Sequence, residues 1–210
     1  MSIKDKYTVK SIDTYLCKDW LLNKHYAKRL CSISYSFGLF DIDNILIGVL
    51  TIGKPASKDL CDGICGIENS EYVYELNRLC VNNGLERNAL SFFVSKSMKL
   101  IKESLIIVSY SDTSMNHNGY IYQATNFTYT GATVERTDPE VLGKHARHIK
   151  TDGTILKRVV RHSKHRYVLF IGKNKKSLKS QLKYKIYTYP KGENKRYDSS
   201  YQPLIQTQLF

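Results

Sequence analysis

No apolar run in this chain approaches the roughly 18 residues that a membrane-spanning helix requires. The first residues carry Lys4, Asp5 and Lys6 and lack the apolar core of a secretory leader, so a cytoplasmic protein with no membrane partner is expected. Cysteine is scarce and irregular, with five residues at positions 17, 31, 61, 65 and 80. An odd set at unequal spacing excludes a disulfide framework and fits reduced thiols. Cys61-x-x-x-Cys65 lacks the second ligand pair of a zinc site, and residues 55–70 around it read as a loop without a role. A shortage of apolar residues is not among the absences. At 42% hydrophobic over 210 residues, the chain can build one domain with a real core.

Acidic residues are the other shortage, and it is local. The chain holds 32 Lys and Arg against 19 Asp and Glu, a net charge of +13, and residues 144–196 contribute 17 of the basic residues with two acids. About all of the excess therefore sits in the last third, which is the footprint of a polyanion partner. Tyr167, Phe170, Tyr184, Tyr187 and Tyr189 are interleaved with the charges, a mixture suited to phosphate contacts and to stacking on an unpaired base. Residues 166–172 read as a strand, 175–182 as a short basic helix and 184–189 as another strand. Residues 144–210 are thus expected to pack as a basic strand-helix-strand region on a core of residues 1–143, within one domain overall. Lys164, Arg166, Lys175, Lys176 and Lys179 are its candidate phosphate contacts, and a merely solvated basic face is the alternative. His145-x-x-His148 and His162-x-x-His165 sit among Lys and Arg that repel a cation, and read as ordinary surface histidines.

Upstream, residues 11–30 read as an amphipathic helix with Ser11 or Asp13 as its cap. By itself, His25 near its end reads as a helix-terminal histidine favoured by the dipole, and Tyr26 as a surface tyrosine. Residues 34–40 and 45–52 form a hairpin around the turn-rich residues 41–44. Residues 72–81 make a strand with Glu75, Asn77 and Arg78 inside it. After the turn at residues 82–84, a helix opens near Arg87, Asn88 and Ser91, with Leu90, Phe93 and Val94 at helical spacing. The free N–H groups and positive dipole end of that helix suit a phosphate or pyrophosphate. An apolar strand at residues 105–110 spills into polar residues 111–114, where ligands gather in open sheets. A short helix (118–124) and a strand (127–130) follow.

This order resembles the GNAT acetyltransferase fold, an α/β (α+β) architecture with a mixed, mostly antiparallel central sheet flanked by helices. Here it would carry a basic C-terminal extension. Tyr122, five residues before Phe127, matches that family's Tyr-x-x-x-Gly-Phe signature, whose tyrosine protonates the leaving thiolate of coenzyme A. Asn126 replaces the glycine, and the phosphate loop is reduced to Gly84 followed by Arg87-Asn88-Ala89. A closer resemblance is to the Mom family of bacteriophage DNA-modification proteins. It rests on Lys24-His25-Tyr26, Glu75-Leu76-Asn77-Arg78-Leu79, Ser91-Phe92-Phe93-Val94-Ser95-Lys96, Ser109-Tyr110-Ser111-Asp112-Thr113 and the stretch from Gly119 to Phe127. Lys164-His165-Arg166-Tyr167 and Tyr189-Pro190-Lys191-Gly192 extend it toward the C-terminus. The resemblance implies transfer of a carbamoylmethyl group to the exocyclic amine of adenine in phage DNA, shielding it from host restriction.

Such a reaction needs a poor nucleophile placed, deprotonated and supplied with oxyanion stabilisation, on an adenine flipped out of double-stranded DNA. Asp112 is the candidate general base or base-edge reader, and Tyr122 the general acid. Arg78 is the candidate holder of the donor's carbonyl, carboxylate or phosphate, with His25 and Tyr26 walling the adenine. Arg87, Asn88 and Ser91 are the candidate cofactor contacts. The donor is open between a coenzyme A-linked group and an aminoacyl carrier, and if a metal such as iron is bound, His25 is the better ligand. A buried Arg78–Asp112 salt bridge is the structural alternative. An N-acetyltransferase of a protein or small amine, and a non-catalytic DNA-binding module, are the alternative functions.

Overall fold

A computed structural model describes residues 2–139, 157–192, 201 and 203. The pair His145 and His148 lies outside these. The chain opens with α1 (Ile3–Lys6) and β1 (Thr8–Ser11), then a 3-10 turn (Thr14–Cys17) and a π-helical turn (Trp20–Lys24). The hairpin β2 (Tyr35–Phe40) and β3 (Leu46–Gly53) is followed by α2 (Lys58–Cys65) and a 3-10 segment (Ile67–Tyr72). Next come β4 (Val73–Val81), α3 (Ala89–Leu100), β5 (Leu105–Asp112), α4 (Tyr120–Ala124) and β6 (Thr128–Ala132). The last elements are β7 (Arg136–Pro139), β8 (Arg158–Arg161), β9 (Lys164–Ile171) and α5 (Lys175–Ser180).

Seven strands form one sheet in the order β1-β2-β3-β4-β5-β9-β6, while β7 and β8 pair apart from it as a ribbon. Every neighbouring pair is antiparallel except β4 and β5. The fold is the mixed, mostly antiparallel sheet flanked by helices that the residue pattern predicts. β9 comes from the basic third, yet it is inserted between β5 and the edge strand β6 of the sheet. Its apolar residues Val168 and Phe170 face Ile64 and Cys65 of α2 and Leu178 of α5. On the opposite face, Phe93 and Val94 of α3 and Tyr122 of α4 pack with Phe127, Tyr129 and Tyr167. The five cysteines are free. Among the described residues, no helix is long and apolar enough to cross a membrane.

Three expectations are corrected. Residues 11–30 are not one helix: Ser11 belongs to β1, and Ile12 continues the sheet edge by exchanging hydrogen bonds with Ser36 (Ile12 N–H to Ser36 O at 3.1 Å, Ser36 Oγ to Ile12 O at 2.7 Å). The helical remainder splits into two tight turns that press Cys17, Trp20 and Leu21 onto Phe40 and Val49. Residues 55–70 are not a loop either. Ser57 accepts the Leu60 N–H at 3.3 Å as the cap of α2, whose Ile64 and Cys65 are fully buried. Residues 184–189 form no strand. Their backbone makes isolated contacts in place of a ladder, such as Tyr187 N–H to Tyr129 O at 3.1 Å, and the tyrosines act as struts, with Tyr189 donating to Phe127 O at 2.7 Å.

Candidate active site

β4 and β5 pair only from Val73 to Glu75 against Ile106 to Val108. Beyond that, β4 keeps β3 alone and β5 keeps β9 alone, so the two strands part. Ser109 Oγ bridges the start of the gap by donating to Leu76 O at 2.9 Å. Past it opens a cavity of about 1010 Å³. It lies beyond the carboxyl ends of the parallel pair, where open sheets bind ligands.

A bulge decides which β4 side chains enter. Thr51 faces Arg78 and Ile52 faces Leu76, leaving Asn77 as the extra residue. Asn77 is pinned there by the Thr51 hydroxyl at 2.6 Å and by its own donation to Ser32 O at 2.8 Å. Leu76 and Leu79, three residues apart, therefore both join the core beneath α3 and α4. Glu75 and Arg78 turn to the other face and line the cavity.

The π-helical turn closes with His25 N–H on Trp20 O at 2.8 Å. Its extra residue per turn keeps Trp20 and Leu21 in the core while bringing Lys24 and His25, both buried, to the cavity wall. Burial, then the charges of Arg78 and Arg29, pull the His25 pKa down to about 3. His25 Nδ1 accepts the Ala27 N–H at 3.1 Å, so the neutral ring carries its proton on Nε2. The helix-terminal, dipole-favoured reading is overturned: this is a neutral donor. Tyr26 stacks on it with centroids 4.5 Å apart and meets His117 edge-on at 6.4 Å.

Among the described residues, Arg78 has its Nε buried without a partner, and its other nitrogens donate to the carbonyls of Asn77 (2.6 Å) and Arg29 (3.5 Å). The Arg78–Asp112 salt bridge is thus not formed. Asp112 instead pairs with Lys164, its cross-strand neighbour on β9, at 2.8 Å, and accepts the N–H and hydroxyl of Ser114 at 3.1 and 2.6 Å. Burial pushes the Asp112 carboxyl up, but Lys164 and Ser114 outweigh it and hold the group below the usual carboxylate range. It stays anionic at neutral pH and is a better hydrogen-bond acceptor than proton acceptor.

Tyr122 reaches the cavity from α4, packed between Phe127 and Tyr167 at centroid distances of 5.2 and 5.3 Å. Burial raises its phenol well above the ordinary value, with a hydrogen bond to Ser109 offsetting part of the effect, so it remains protonated. Asn126 takes φ +63°, the left-handed conformation that a glycine would supply, which explains how asparagine stands in the signature. The Phe127 N–H then returns to Tyr122 O at 2.9 Å.

Asn88, also left-handed at φ 71°, precedes α3, and Ser91 Oγ donates back to Asn88 O at 3.0 Å. Both line the cavity, whereas Arg87 is exposed and outside the lining. Lys164 lines it as the partner of Asp112. Arg166 does not. Its Nε and Nη2 donate to Thr130 Oγ1 and O at 2.9 and 3.1 Å, and it lies 3.7 Å over the Tyr184 ring. Lys175, Lys176 and Lys179 belong to α5, which follows Ile171, the partner of Leu105 at the far end of β5. The seven residue steps from Leu105 to Asp112 separate the ends of β5 by about 23 Å.

The histidines of the basic region do not converge. His162 meets Glu135 at 3.1 Å and His165 meets the Tyr129 hydroxyl at 2.8 Å. Among the described residues, no group of three or more His, Cys, Asp or Glu could hold a metal ion. Iron does not fit at His25, where one ring nitrogen takes a backbone N–H and two arginines repel a cation. Sequence reasoning missed Lys24, Arg29, Ser111, Arg136 and Arg161, which the fold adds to the lining. Ser111 stands in the polar end of β5 and was within reach of that signal; the arginines arrive by long-range packing alone.

Residues 6–191 match the Mom protein family. The methylcarbamoylase Mom of Escherichia phage Mu is 28% identical over 203 residues, covering 87% of this chain and 83% of its own. Solved structures with a partly similar course include a spermidine/spermine N-acetyltransferase from Vibrio cholerae crystallised with manganese ions (9% identity, 80% of this chain and 95% of that one, TM-score 0.46). A putative acetyltransferase from Salmonella typhimurium with its cofactor acetyl-CoA gives 10% identity, 79% and 94% coverage and a TM-score of 0.45. Neither likeness bears on substrate. The match across most of the sequence does decide the family: the chain belongs to the Mom protein family.

Proposed function

We propose that this protein is a transferase that adds a carbamoylmethyl (glycinamide-like) group to the exocyclic amine of adenine in phage DNA, in the host cytoplasm, and so protects that DNA from restriction. The observation that supports it most is the gathering of His25, Tyr26, Arg78, Asp112 and Tyr122, from separate elements, around one cavity, in a chain related to a phage methylcarbamoylase. An amine buried in a duplex cannot be reached, so the adenine enters flipped, against the Tyr26 face. The anionic Asp112 accepts a hydrogen bond from the amine, orienting its lone pair toward the donor, and takes that proton as the new N–C bond forms and leaves the nitrogen acidic, while His25 Nε2–H donates to a ring nitrogen. Arg78, with no carboxylate partner among the described residues, stabilises negative charge developing on the donor. Tyr122, protonated and on the α3 and α4 side of the gap, gives its proton to the leaving group. Asn88 and Ser91 sit where the phosphates of a coenzyme A-linked donor would meet the start of α3, and an aminoacyl carrier would use the same opening. Mass spectrometry of nucleosides from bacteria making the soluble protein tests the reading. A deoxyadenosine heavier than the parent, with adenine-containing sites resistant to cleavage, is expected, and unmodified nucleosides would refute it.

A further inference from the structure

The ribbon of β7 and β8 stands outside the main sheet, and its residues rim the cavity. Its register sets Arg136 directly opposite Arg161. Like charges facing each other across two strands destabilise the pairing. The ribbon tolerates them by bridging both with one carboxylate: Asp138 Oδ1 lies 3.3 Å from Arg136 Nε and Oδ2 lies 3.0 Å from Arg161 Nε. Each guanidinium keeps further donors that this single bond does not use. Arg29, whose carbonyl Arg78 touches, faces the same space. Burial, then the charges of Arg78 and Arg161, draws the Arg29 guanidinium below its ordinary value. Among the described residues, neither Arg29 nor Arg78 has a carboxylate within 4.0 Å. Arg136 and Arg161 thus share the Asp138 carboxylate at the mouth of a cavity that Arg29 and Arg78 also line, with Glu75 and Asp112 among the carboxylates on its wall.

Resting on the nucleic-acid reading above, we propose that Arg29, Arg136 and Arg161 form a phosphate cradle that grips the DNA backbone beside the flipped adenine, next to the donor-facing Arg78. Guanidinium is the group for this task, since its fork matches phosphate oxygens in pairs and desolvates more readily than an ammonium. A two-stranded ribbon is also narrow enough to lie along a DNA groove while its arginines reach the backbone. Arg136 and Arg161 come from the ribbon outside the main sheet, and not from the helix start at Asn88 and Ser91 that would receive donor phosphates. DNA phosphodiester is therefore its ligand, ahead of a phosphate of the donor.

The test is fluorescence anisotropy of the full chain with an adenine-containing duplex across a series of salt concentrations. Calorimetry with coenzyme A runs alongside. Arg136→Gln with Arg161→Gln should weaken binding to all sequences and flatten the slope of log affinity against log salt by about 2 units. Coenzyme A binding should not change. Asp138→Asn supplies a variant whose expected gain cannot come from misfolding: with the competing carboxylate gone, duplex binding should tighten. An unchanged slope in the arginine pair overturns the cradle. So does a loss confined to the combined Lys175→Gln, Lys176→Gln and Lys179→Gln variant. Weaker coenzyme A binding with intact duplex binding overturns it in favour of a donor phosphate, and weaker duplex binding by Asp138→Asn reduces the cluster to a strut. Absence of salt-dependent duplex binding by the wild type would instead remove the nucleic-acid reading itself, and the cradle with it.

Discussion

Ser109 and Ser111 stand two residues apart on β5, 1% and 5% exposed, and differ in one respect. Ser109 Oγ donates to Leu76 O at 2.9 Å, just past the last β4–β5 pair, whereas Ser111 Oγ is buried with no hydrogen-bond partner among the described residues. Ser109→Ala strips a donor from a buried carbonyl and should cost about 1–3 kcal/mol. Ser111→Ala removes a hydroxyl that already bears its desolvation cost, so stability should stay within about 0.5 kcal/mol or rise. At roughly 2–4 °C per kcal/mol for a chain of this length, Ser109→Ala should lower Tm by about 2–12 °C and Ser111→Ala hardly at all. Thermal melts and urea titrations with matching m-values would measure both. The catalytic readout should separate them further. Ser111 lines the cavity, so its loss should reduce DNA modification at unchanged stability, and Ser109→Ala should impair both. Equal destabilisation by the two variants would refute the view that the Ser109 bond holds the parted strands in position.

Two further outcomes follow from the same geometry. Tyr122→Phe and Asp112→Asn should each abolish modification while changing stability by no more than about 1 kcal/mol, because one loses a single hydroxyl and the other a partly exposed ion pair; a variant that keeps wild-type modification in the nucleoside assay has no chemical role. His25 is depressed from 6.5 to about 3, so its contribution to stability is fully present above pH 6.5. Below that, the unfolded chain takes a proton that the folded chain refuses, at up to roughly 1.4 kcal/mol per pH unit, until the folded ring protonates. Between pH 6.5 and 5 the wild type should therefore lose about 2 kcal/mol more than His25→Gln in urea titrations, and equal losses would place His25 in contact with water.

The residue pattern determined much of this protein unaided. Alternation marked β2 and a continuous apolar run β3, the polar residues inside β4 raised the question of function, and the spacing of Leu90, Phe93 and Val94 marked α3, because these signals are local and survive in any surrounding. Where the signal was local but its energetics were not, the reading failed. Residues 11–30 have a helical period, yet burying Trp20 and Leu21 on β3 while joining Ile12 to the sheet edge leaves room only for a 3-10 and a π turn. The tyrosines of residues 184–189 look like a strand until Arg166, Tyr129 and Phe127 claim them one by one. The partners within the site were decided by tertiary structure alone. One extra residue at Asn77 turns Arg78 to the same face as Glu75, and the β5–β9 register sets Lys164 beside Asp112 in place of Arg78. A side chain's face alternates with every residue, so a shift of a single position in either ladder would exchange the set that meets in the cavity, and no composition or spacing within one segment records the register of another.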